Sequence, residues 1–305
     1  MSSIARSILD DRSALVGAVF ALFAAIGFST KAIFVKLAYH DGADAITLLA
    51  LRMVFSAPFF VGVAIWDKMQ NAPPLSWHDR LLILGLGLIG YYLSSLLDFV
   101  GLQYISAGLE RLILFLYPTI TVILTALIYR RPVGGKTIAA MALSYTGIIM
   151  VFLHNAEMKG DGMLLGTTLV FTSTISYSIY LVGAGHAIAR IGSMRFTAYA
   201  MIVASLASLL QFGVMRPMGA LYLPVHVYEI AIAMAIFSTV LPVFLLSYAI
   251  HHIGSGNASL IGSVGPVSTI YMAYALLGES VSMMQMAGSL FVLIGVLIVS
   301  LSSRR

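Results

Sequence analysis

This 305-residue sequence is poor in two kinds of residue, cysteine and charged residues. It contains no cysteine, which excludes disulfide bonds and thiolate metal sites. Charged residues make up only 10% of the chain, while 60% of the residues are hydrophobic and the mean hydropathy is +0.99. Soluble domains carry about 25% charged residues. The composition therefore excludes a soluble globular domain and predicts an all-α integral membrane protein.

Long apolar runs fill most of the chain. A helix needs roughly 20 apolar residues to cross a hydrocarbon layer of about 30 Å, and these runs are about twice as long as a barrel strand. Turn formers and charges separate them, as in "HDGADA" and "RIGSMR". The ten predicted spans are 14–38, 46–66, 80–103, 107–129, 136–154, 161–187, 195–215, 226–250, 256–277 and 282–302.

Lysine and arginine are distributed unevenly between the predicted loops. With the N-terminus inside, three of these residues fall outside, namely Lys36, Lys159 and Arg216. Eleven fall inside: Arg6, Arg12, Lys68, Arg80, Arg130, Arg131, Lys136, Arg190, Arg195, Arg304 and Arg305. The positive-inside rule then predicts two cytoplasmic termini, with residues 1–13 as a cytoplasmic N-terminal segment. The net charge of +5 reflects this topology and contact with membrane lipid, and no basic patch indicates nucleic acid.

The chain repeats itself at an offset of 148 residues. Residues 93–153 align with 241–301 without a gap, and the alignment matches Pro118 with Pro266 and Gly147 with Gly295. The predicted copies are residues 14–154 and 161–302, with five spans each. Because five is odd, the second copy enters the membrane from the opposite side. Inverted-topology repeats are characteristic of secondary transporters, which bind substrate near the midplane.

Three stretches carry a family resemblance: "GFSTKAIFVKLA", "GLQYISAGLERLILFLYPTITVILTALIY" and "GSGNASLIGSVGPVSTIYMAYALLGES". They resemble the EamA family of the drug/metabolite transporter superfamily, over nearly the whole chain. The resemblance implies ten helices around a central cavity, with spans 1–4 and 6–9 lining the path. It also implies a Gly-Glu pair after the fourth span of a repeat. Gly278 and Glu279 supply it in the second copy, whereas the first copy has Arg130 and Arg131, so we expect Glu279 to cap a helix or lie at an interface.

Five charged side chains within the predicted spans are candidates for function, all in the first repeat. Lys31 and Asp98 fall towards the outer ends of spans 1 and 3. Arg52, Glu110 and Arg111 lie one or two turns inside spans 2 and 4. A charge at the centre of a membrane helix costs about 2.5–3.5 kcal/mol on insertion scales, so such groups face protein or water and mark function. The sequence thus predicts a charged outer vestibule.

The second repeat carries no charge at the corresponding positions. The counterparts are Tyr180, Met201, Leu246, Ala258 and Ser259. A narrow, neutral inner approach is therefore expected around Asn257, Ala258 and Ser259, and Asn257 and Ser259 join the candidate substrate residues.

Two interpretations of the embedded charges remain open. They could be packing pairs, for instance Asp98 with Lys31 and Glu110 with Arg52. Alternatively, at least one of them touches substrate or carries a coupling proton, since Asp98 and Glu110 are the acids deep enough to do so. The second interpretation explains why five charges gather at one depth.

Polar residues at helical spacing extend the candidate site. One stripe on span 3 consists of Tyr91, Ser94, Ser95 and Asp98. A second, on span 4, consists of Glu110, Tyr117 and Thr121. Neither stripe suits a lipid-facing surface, so Tyr91, Ser95 and Tyr117 are further candidates for substrate binding or coupling.

Pro118 and Pro266 lie about eleven residues into spans 4 and 9. A proline in a helix frees a carbonyl one turn earlier and permits a kink. The two prolines are therefore candidate hinges for gating, although membrane helices also tolerate proline without moving.

These features favour a secondary active transporter of a small metabolite in the bacterial cytoplasmic membrane. Alternating access would be driven by a gradient or by exchange. The five charges sum to +1, which favours an amino-acid-like, zwitterionic or carboxylate compound. Alternatives are an exporter of lipophilic cationic drugs and a non-transporting receptor or channel. Enzyme motifs are absent, so no catalytic residue, cofactor or metal is expected, and the oligomeric state stays open, a homodimer included.

Overall fold

Helices form nearly all of the described chain. The computed structural model describes the backbone of residues 3–70, 73–130, 132–159 and 162–302, and their side chains except those of 3–14, 154–159, 186, 254–257, 259–260, 300 and 302. No strand occurs within these ranges. The α-helices are α1 (Ser3–His40), α2 (Ala45–Met69), α3 (Trp77–Gly87), α4 (Ser94–Gly101), α5 (Ala107–Leu114), α6 (Tyr117–Tyr129), α7 (Gly135–Lys159), α8 (Met163–Ile191), α9 (Ser193–Met215), α10 (Val225–Ala235), α11 (Leu241–Gly262), α12 (Val264–Leu277) and α13 (Met283–Ser302).

The outer surface of the helices is apolar. Phe23, Trp66 and Leu210 are 57%, 68% and 71% exposed, as expected of side chains that contact lipid tails. Among the described residues, eight helical segments are long and apolar enough to cross a membrane, and two shorter apolar helices follow at Val264–Leu277 and Met283–Val299. The prediction of an all-helical integral membrane protein is confirmed.

Two predicted boundaries are wrong because the helices continue through them. The break expected between spans 5 and 6 is helical as far as Lys159, and α11 runs without interruption through the break expected between spans 8 and 9. The sequence "HHIGSGNAS" contains glycines but no proline. Glycine costs a helix only about 1 kcal/mol each and keeps its N–H donor, so glycines alone do not end a helix. Helix α1 likewise begins well before the predicted span, at Ser3.

Both halves deviate from α-helical geometry at equivalent places. A π-helical segment connects α3 to α4 at Leu88–Leu93, and another connects α10 to α11 at Ile236–Val240. Their first residues are separated by the same 148 positions as the sequence repeat. Arg130 and Gly278, which end α6 and α12, also correspond, and both have left-handed backbones with φ of 52° and 64°. The sequence repeat is thus also a repeat of local backbone geometry.

The first helix of each half packs against the other half. Helix α1 contacts α11 and α12, and α8 contacts α4 and α6. Ser29 on α1 donates to the carbonyl of Gly265 at 2.9 Å, and its counterpart Ser178 on α8 donates to that of Tyr117 at 3.2 Å. Residues 117 and 265 are again 148 apart. These exchanged contacts bring the two halves together around the first turns of α6 and α12.

Helices α7 and α13 form a separate close pair. Gly147 and Gly288 face each other so closely that a Cβ on Gly288 would lie 2.5 Å from the carbonyl oxygen of Gly147. Small residues allow this approach of two backbones. The charged side chains described below all lie on other helices.

Candidate functional site

A cluster of one ammonium and two carboxylates lies buried between three helices. Lys31 Nζ, on α1, is 2.5 Å from Asp98 Oδ2 on α4 and 3.0 Å from Glu110 Oε1 on α5. The side chains of Asp98 and Glu110 are 3% and 0% exposed. The contact with Asp98 is a hydrogen bond, whereas the contact with Glu110 is an ion pair without hydrogen-bond geometry. With all three groups ionised, Lys31 contributes +1 against −2 from the acids.

The second oxygens of the two acids have no fixed donor. Within the described part of the chain, no hydrogen-bond donor reaches Asp98 Oδ1 or Glu110 Oε2, although the two carboxyl groups lie close to each other. A buried carboxylate oxygen without a donor is costly. The arrangement is suited to accepting a proton or a ligand donor.

The first turn of α5 is anchored on two sides. Ser106 caps the helix by accepting the N–H of Leu109 at 3.3 Å. Glu279, in the turn after α12, accepts the N–H groups of Ala107 and Gly108 at 2.9 and 3.3 Å. The expectation of a capping role for Glu279 is confirmed, and the cap fixes the helix that carries Glu110.

Arg52 does not pair with Glu110, and that predicted pair is wrong. Its Nη2 donates to Ser95 Oγ at 2.9 Å, and its guanidinium lies 4.8 Å from the ring centroid of Phe99. The side chain is buried, with 5% exposure, and desolvated cation–π contacts contribute about 2 kcal/mol. Arg52 therefore belongs to a hydrogen-bonded and stacked group beside the carboxylates. The alternative pair, Asp98 with Lys31, is present.

Arg111 reaches from α5 towards the second half. Its Nη2 lies 3.4 Å from Ser29 Oγ, and a Cβ built on Gly265 would lie only 2.6 Å from the same nitrogen. Arg111 Nε has no hydrogen-bond partner among the described residues. The guanidinium thus occupies space that a larger side chain at position 265 would take.

Four tyrosines form a continuous aromatic group next to these charges. Tyr91 and Tyr180 have their hydroxyls 3.0 Å apart. Tyr180 stacks on Tyr177 at 5.6 Å between centroids, and Tyr117 meets the edge of Tyr177 at 5.8 Å. Tyr177 and Tyr180 are not among the candidate substrate residues above, although both fall within predicted spans, where tyrosines could form an aromatic cage for a cationic drug. The correspondence of Tyr180 with Lys31 was a further signal for Tyr180.

Interruptions in the α-helical backbone divide both predicted polar stripes. Tyr91 lies within the π-helical segment, and Ser94 faces α8, where it is 3.0 Å from Ser173 rather than beside Ser95 and Arg52. Glu110 and Tyr117 lie on different helices, because α5 ends at Leu114. The single continuous helix expected for span 4 is therefore wrong, although Glu110 and Tyr117 both lie within electrostatic range of Arg111.

The two prolines follow breaks in the helices. Pro118 lies in the first turn of α6 and Pro266 in the first turn of α12. A proline is tolerated in the first turn because its missing N–H would have no helical partner there. The structure thus interrupts both spans where a hinge was predicted, while a hinge motion remains a prediction.

The second-half counterparts of the acids lie in an apolar cluster. Ala258, the counterpart of Glu110, is 2% exposed and packs with Ala21 and Ala249. Leu246, the counterpart of Asp98, packs against the same group. The side chains of Asn257 and Ser259 lie outside the described residues. No group of three or more potential metal ligands occurs among the side chains that the structure describes.

Three ion pairs outside the cluster join acids of the first half to arginines of the second. They are Asp44 with Arg216 at 3.0 Å, Asp67 with Arg195 at 2.6 Å, and Asp79 with Arg190. They place the ends of several helices next to one another.

Comparison with known proteins identifies relatives along the whole chain. The model of the EamA-like transporter family matches twice, at residues 15–153 and 164–301. An uncharacterized transporter of Bacillus subtilis (strain 168), YcbK, is 30% identical over 283 residues, which cover 91% of this chain and 90% of the relative. The WAT1-related protein At5g64700 of Arabidopsis thaliana is 24% identical, covering 85% and 82%. A protein of known crystal structure aligns with a TM-score of 0.65 and 16% identity over 95% of this chain and 98% of the other, which supports the fold alone.

Proposed function

The chain belongs to the EamA-like transporter family, and on that premise we propose that it is a secondary active transporter. It moves a small amino-acid-like, zwitterionic or carboxylate metabolite across the bacterial cytoplasmic membrane by alternating access. The observation that carries this proposal is the buried contact of Lys31 with both Asp98 and Glu110. Ionisable groups inside a membrane protein mark substrate or proton pathways.

The proposed architecture is ten helices in two inverted five-helix repeats, with both termini cytoplasmic. In that topology Glu279 and Ala107 both lie outside, as do Asp44 and Arg216. Asp67, Asp79 and their arginine partners all lie inside. Each of these contacts joins two helix ends that the proposed topology puts on the same side of the membrane.

Glu110 is the proposed coupling residue. While it is ionised, Lys31 holds it and Asp98 together, so α1, α4 and α5 are tied to one another. A proton on Glu110 removes the attraction between Glu110 and Lys31 and leaves Lys31 with Asp98. Helices α1 and α5 are then free to separate, which is the kind of change that alternating access requires.

Export of lipophilic cations is the second candidate. The group of Tyr91, Tyr117, Tyr177 and Tyr180 offers aromatic faces on which a cation could bind. Arg111 adds a positive charge beside the same group and disfavours such a ligand.

Counterflow in proteoliposomes tests the proposal. Vesicles are loaded with each of the twenty amino acids or with short monocarboxylates, labelled compound is added outside, and tetraphenylphosphonium serves as the cationic probe. The proposal predicts saturable counterflow of at least one amino acid or carboxylate. Glu110→Gln should keep this exchange but lose uptake or efflux driven by a pH gradient.

Each part of the proposal is contradicted by a different result. Counterflow of tetraphenylphosphonium alone supports the cation exporter, and no counterflow of any probe contradicts transport of this substrate class. A Glu110→Gln protein that still responds fully to a pH gradient removes Glu110 from coupling.

A further inference from the structure

Arg111 is a cation inside a predicted membrane span, and its guanidinium makes few direct contacts. Its described contacts are a 3.4 Å approach to Ser29 Oγ and packing against the backbone of Gly265. It forms no ion pair with a carboxylate in the described part of the chain, although Glu110 is its neighbour in sequence. Lys31, by contrast, has two acids. Arg52 Nε also has no hydrogen-bond partner among the described residues, but the guanidinium has a hydroxyl at 2.9 Å and an aromatic face. Arg111 is thus the least satisfied of the three cations.

The charges of the cluster indicate what Arg111 lacks. Lys31, Arg52 and Arg111 contribute +3 and the two acids −2, so the ionised group carries +1. One negative charge balances it, while a dianion such as a phosphate monoester would leave an excess of −1. An uncompensated charge is costly at this depth, so the balance favours a ligand with a single negative charge at this position.

We propose that Arg111 binds the carboxylate of a monoanionic or zwitterionic substrate, and that the missing side chain of Gly265 leaves the space in which the guanidinium lies. The guanidinium presents Nε, which has no hydrogen-bond partner among the described residues, beside Nη2, and this pair matches the two oxygens of a carboxylate. Glu110, Tyr117, Asp98 and Tyr177 lie within electrostatic range of the same group, but neither acid forms an ion pair with it. The inference rests on the proposed transport function and names the substrate group that the site recognises.

Gly265 is the positioning residue for this subsite. An alanine there would bring a Cβ to 2.6 Å from Arg111 Nη2 and 3.2 Å from Ser29 Oγ. The closer of the two atoms is the far end of a flexible side chain, so Gly265→Ala can be accommodated if the guanidinium moves. Alanine at Gly262, three residues earlier at the end of α11, would meet nothing within 4 Å and is the matched control.

The test compares acids with their primary amides. Purified wild-type protein, Arg111→Gln, Arg111→Lys, Gly265→Ala and Gly262→Ala are assayed for inhibition of counterflow by each amino acid and by its amide, which lacks the negative charge. Arg216→Gln controls for loss of an arginine outside the site. Size-exclusion chromatography establishes that each variant is folded and monodisperse.

The wild type and both controls should prefer the acid over the amide by at least tenfold. Arg111→Gln should bind the two equally, Arg111→Lys should keep part of the preference, and Gly265→Ala should lose it although the arginine is still present. Preserved preference in Arg111→Gln overturns the proposal while transport itself stands. A wild type that transports acid and amide equally overturns it as well. The absence of any counterflow removes the transport function first and this inference with it.

Discussion

Glu279 Oε1 accepts a hydrogen bond from the backbone N–H of Ala107 at 2.9 Å, although the two residues are 172 positions apart. The second carboxylate oxygen accepts the N–H of Gly108 at 3.3 Å. A carboxylate at this place satisfies two of the N–H groups that a helix start leaves unpaired and lies at the positive end of the helix dipole. The second half of the chain thereby holds the helix that presents Glu110 and Arg111.

Removal of this cap should destabilise the protein. We expect Glu279→Ala to lower the free energy of unfolding by about 1–2 kcal/mol, the usual cost of a lost N-cap, and Glu279→Gln to lower it less because one oxygen remains. Thermal unfolding in detergent measures the effect. Glu229→Ala is the control, since the side chain of Glu229 is 66% exposed and pairs with the exposed His226. Equal transition temperatures for Glu279→Ala and the control would contradict a role for the cap.

The Asp44 carboxylate should make stability depend on pH. Burial alone would raise its pKa, but hydrogen bonds from Thr47 and Arg216 together hold the pKa below the ordinary value. Because the folded-state pKa is depressed, the contribution to stability is complete above the unfolded pKa of about 3.9 and is lost as pH falls through the folded-state pKa. Asp44→Asn should therefore flatten the loss of stability below about pH 4.

Arg216→Gln is the companion variant, because Arg216 Nε contacts Asp44 at 3.0 Å. In a double-mutant cycle measured at pH 7, the effects of Asp44→Asn and Arg216→Gln should be less than additive. Both side chains are about one third exposed, so the coupling should be small, on the order of 0.5 kcal/mol. Fully additive effects would show that the pair does not join the halves energetically.

The depth of a charged residue in the membrane could be predicted from the sequence, but the neighbours towards which its side chain points could not. Counting residues along each span put Lys31, Asp98 and Glu110 at one level, and the structure brings them into contact. The same count led to the prediction that Arg52 pairs with Glu110. It could not show that α2 turns Arg52 towards Ser95 and Phe99, since that depends on how the helices pack.

Breaks in regular geometry set the other limit. The face assigned to Glu110 and Tyr117 assumed one continuous helix, yet α5 ends at Leu114. The π-helical segment Leu88–Leu93 likewise changes the angle between Tyr91 and Asp98, and no residue in it is diagnostic of π geometry. The repeat itself, which depends only on matched residues, was accessible from the sequence and reappears in the backbone.

Paired cysteines can test the inverted topology, because the chain has no cysteine of its own. Gln103 and His251 are exposed and are separated by the repeat offset of 148 residues. Gly135 and Met283 are also exposed and are separated by the same offset. Inversion predicts that Gln103→Cys and Met283→Cys react with an impermeant maleimide in intact cells, whereas His251→Cys and Gly135→Cys react only after permeabilisation. The unmodified chain is the control for background labelling. Identical sidedness within either pair would contradict the inverted arrangement.

The balance of charge around Lys31 can be tested by removal and rescue. Lys31→Gln leaves Asp98 and Glu110 buried without their shared ammonium, and loss of one partner of a buried ion pair costs about 3–5 kcal/mol. We expect a large fall in the transition temperature measured in detergent. Adding Glu110→Gln removes one of the two stranded carboxylates and restores a sum of +1, so the double variant should regain most of the loss.

The pattern of rescue separates a local pairing from a general effect of charge. Lys31→Gln combined with Glu229→Gln removes the same number of charges from the chain but leaves both buried acids in place, so it should show no recovery. Additive losses in Lys31→Gln with Glu110→Gln would mean that the 3.0 Å contact carries no coupling free energy. In that case a proton on Glu110 could not release α1 from α5, and the proposed coupling through this residue would lose its physical basis.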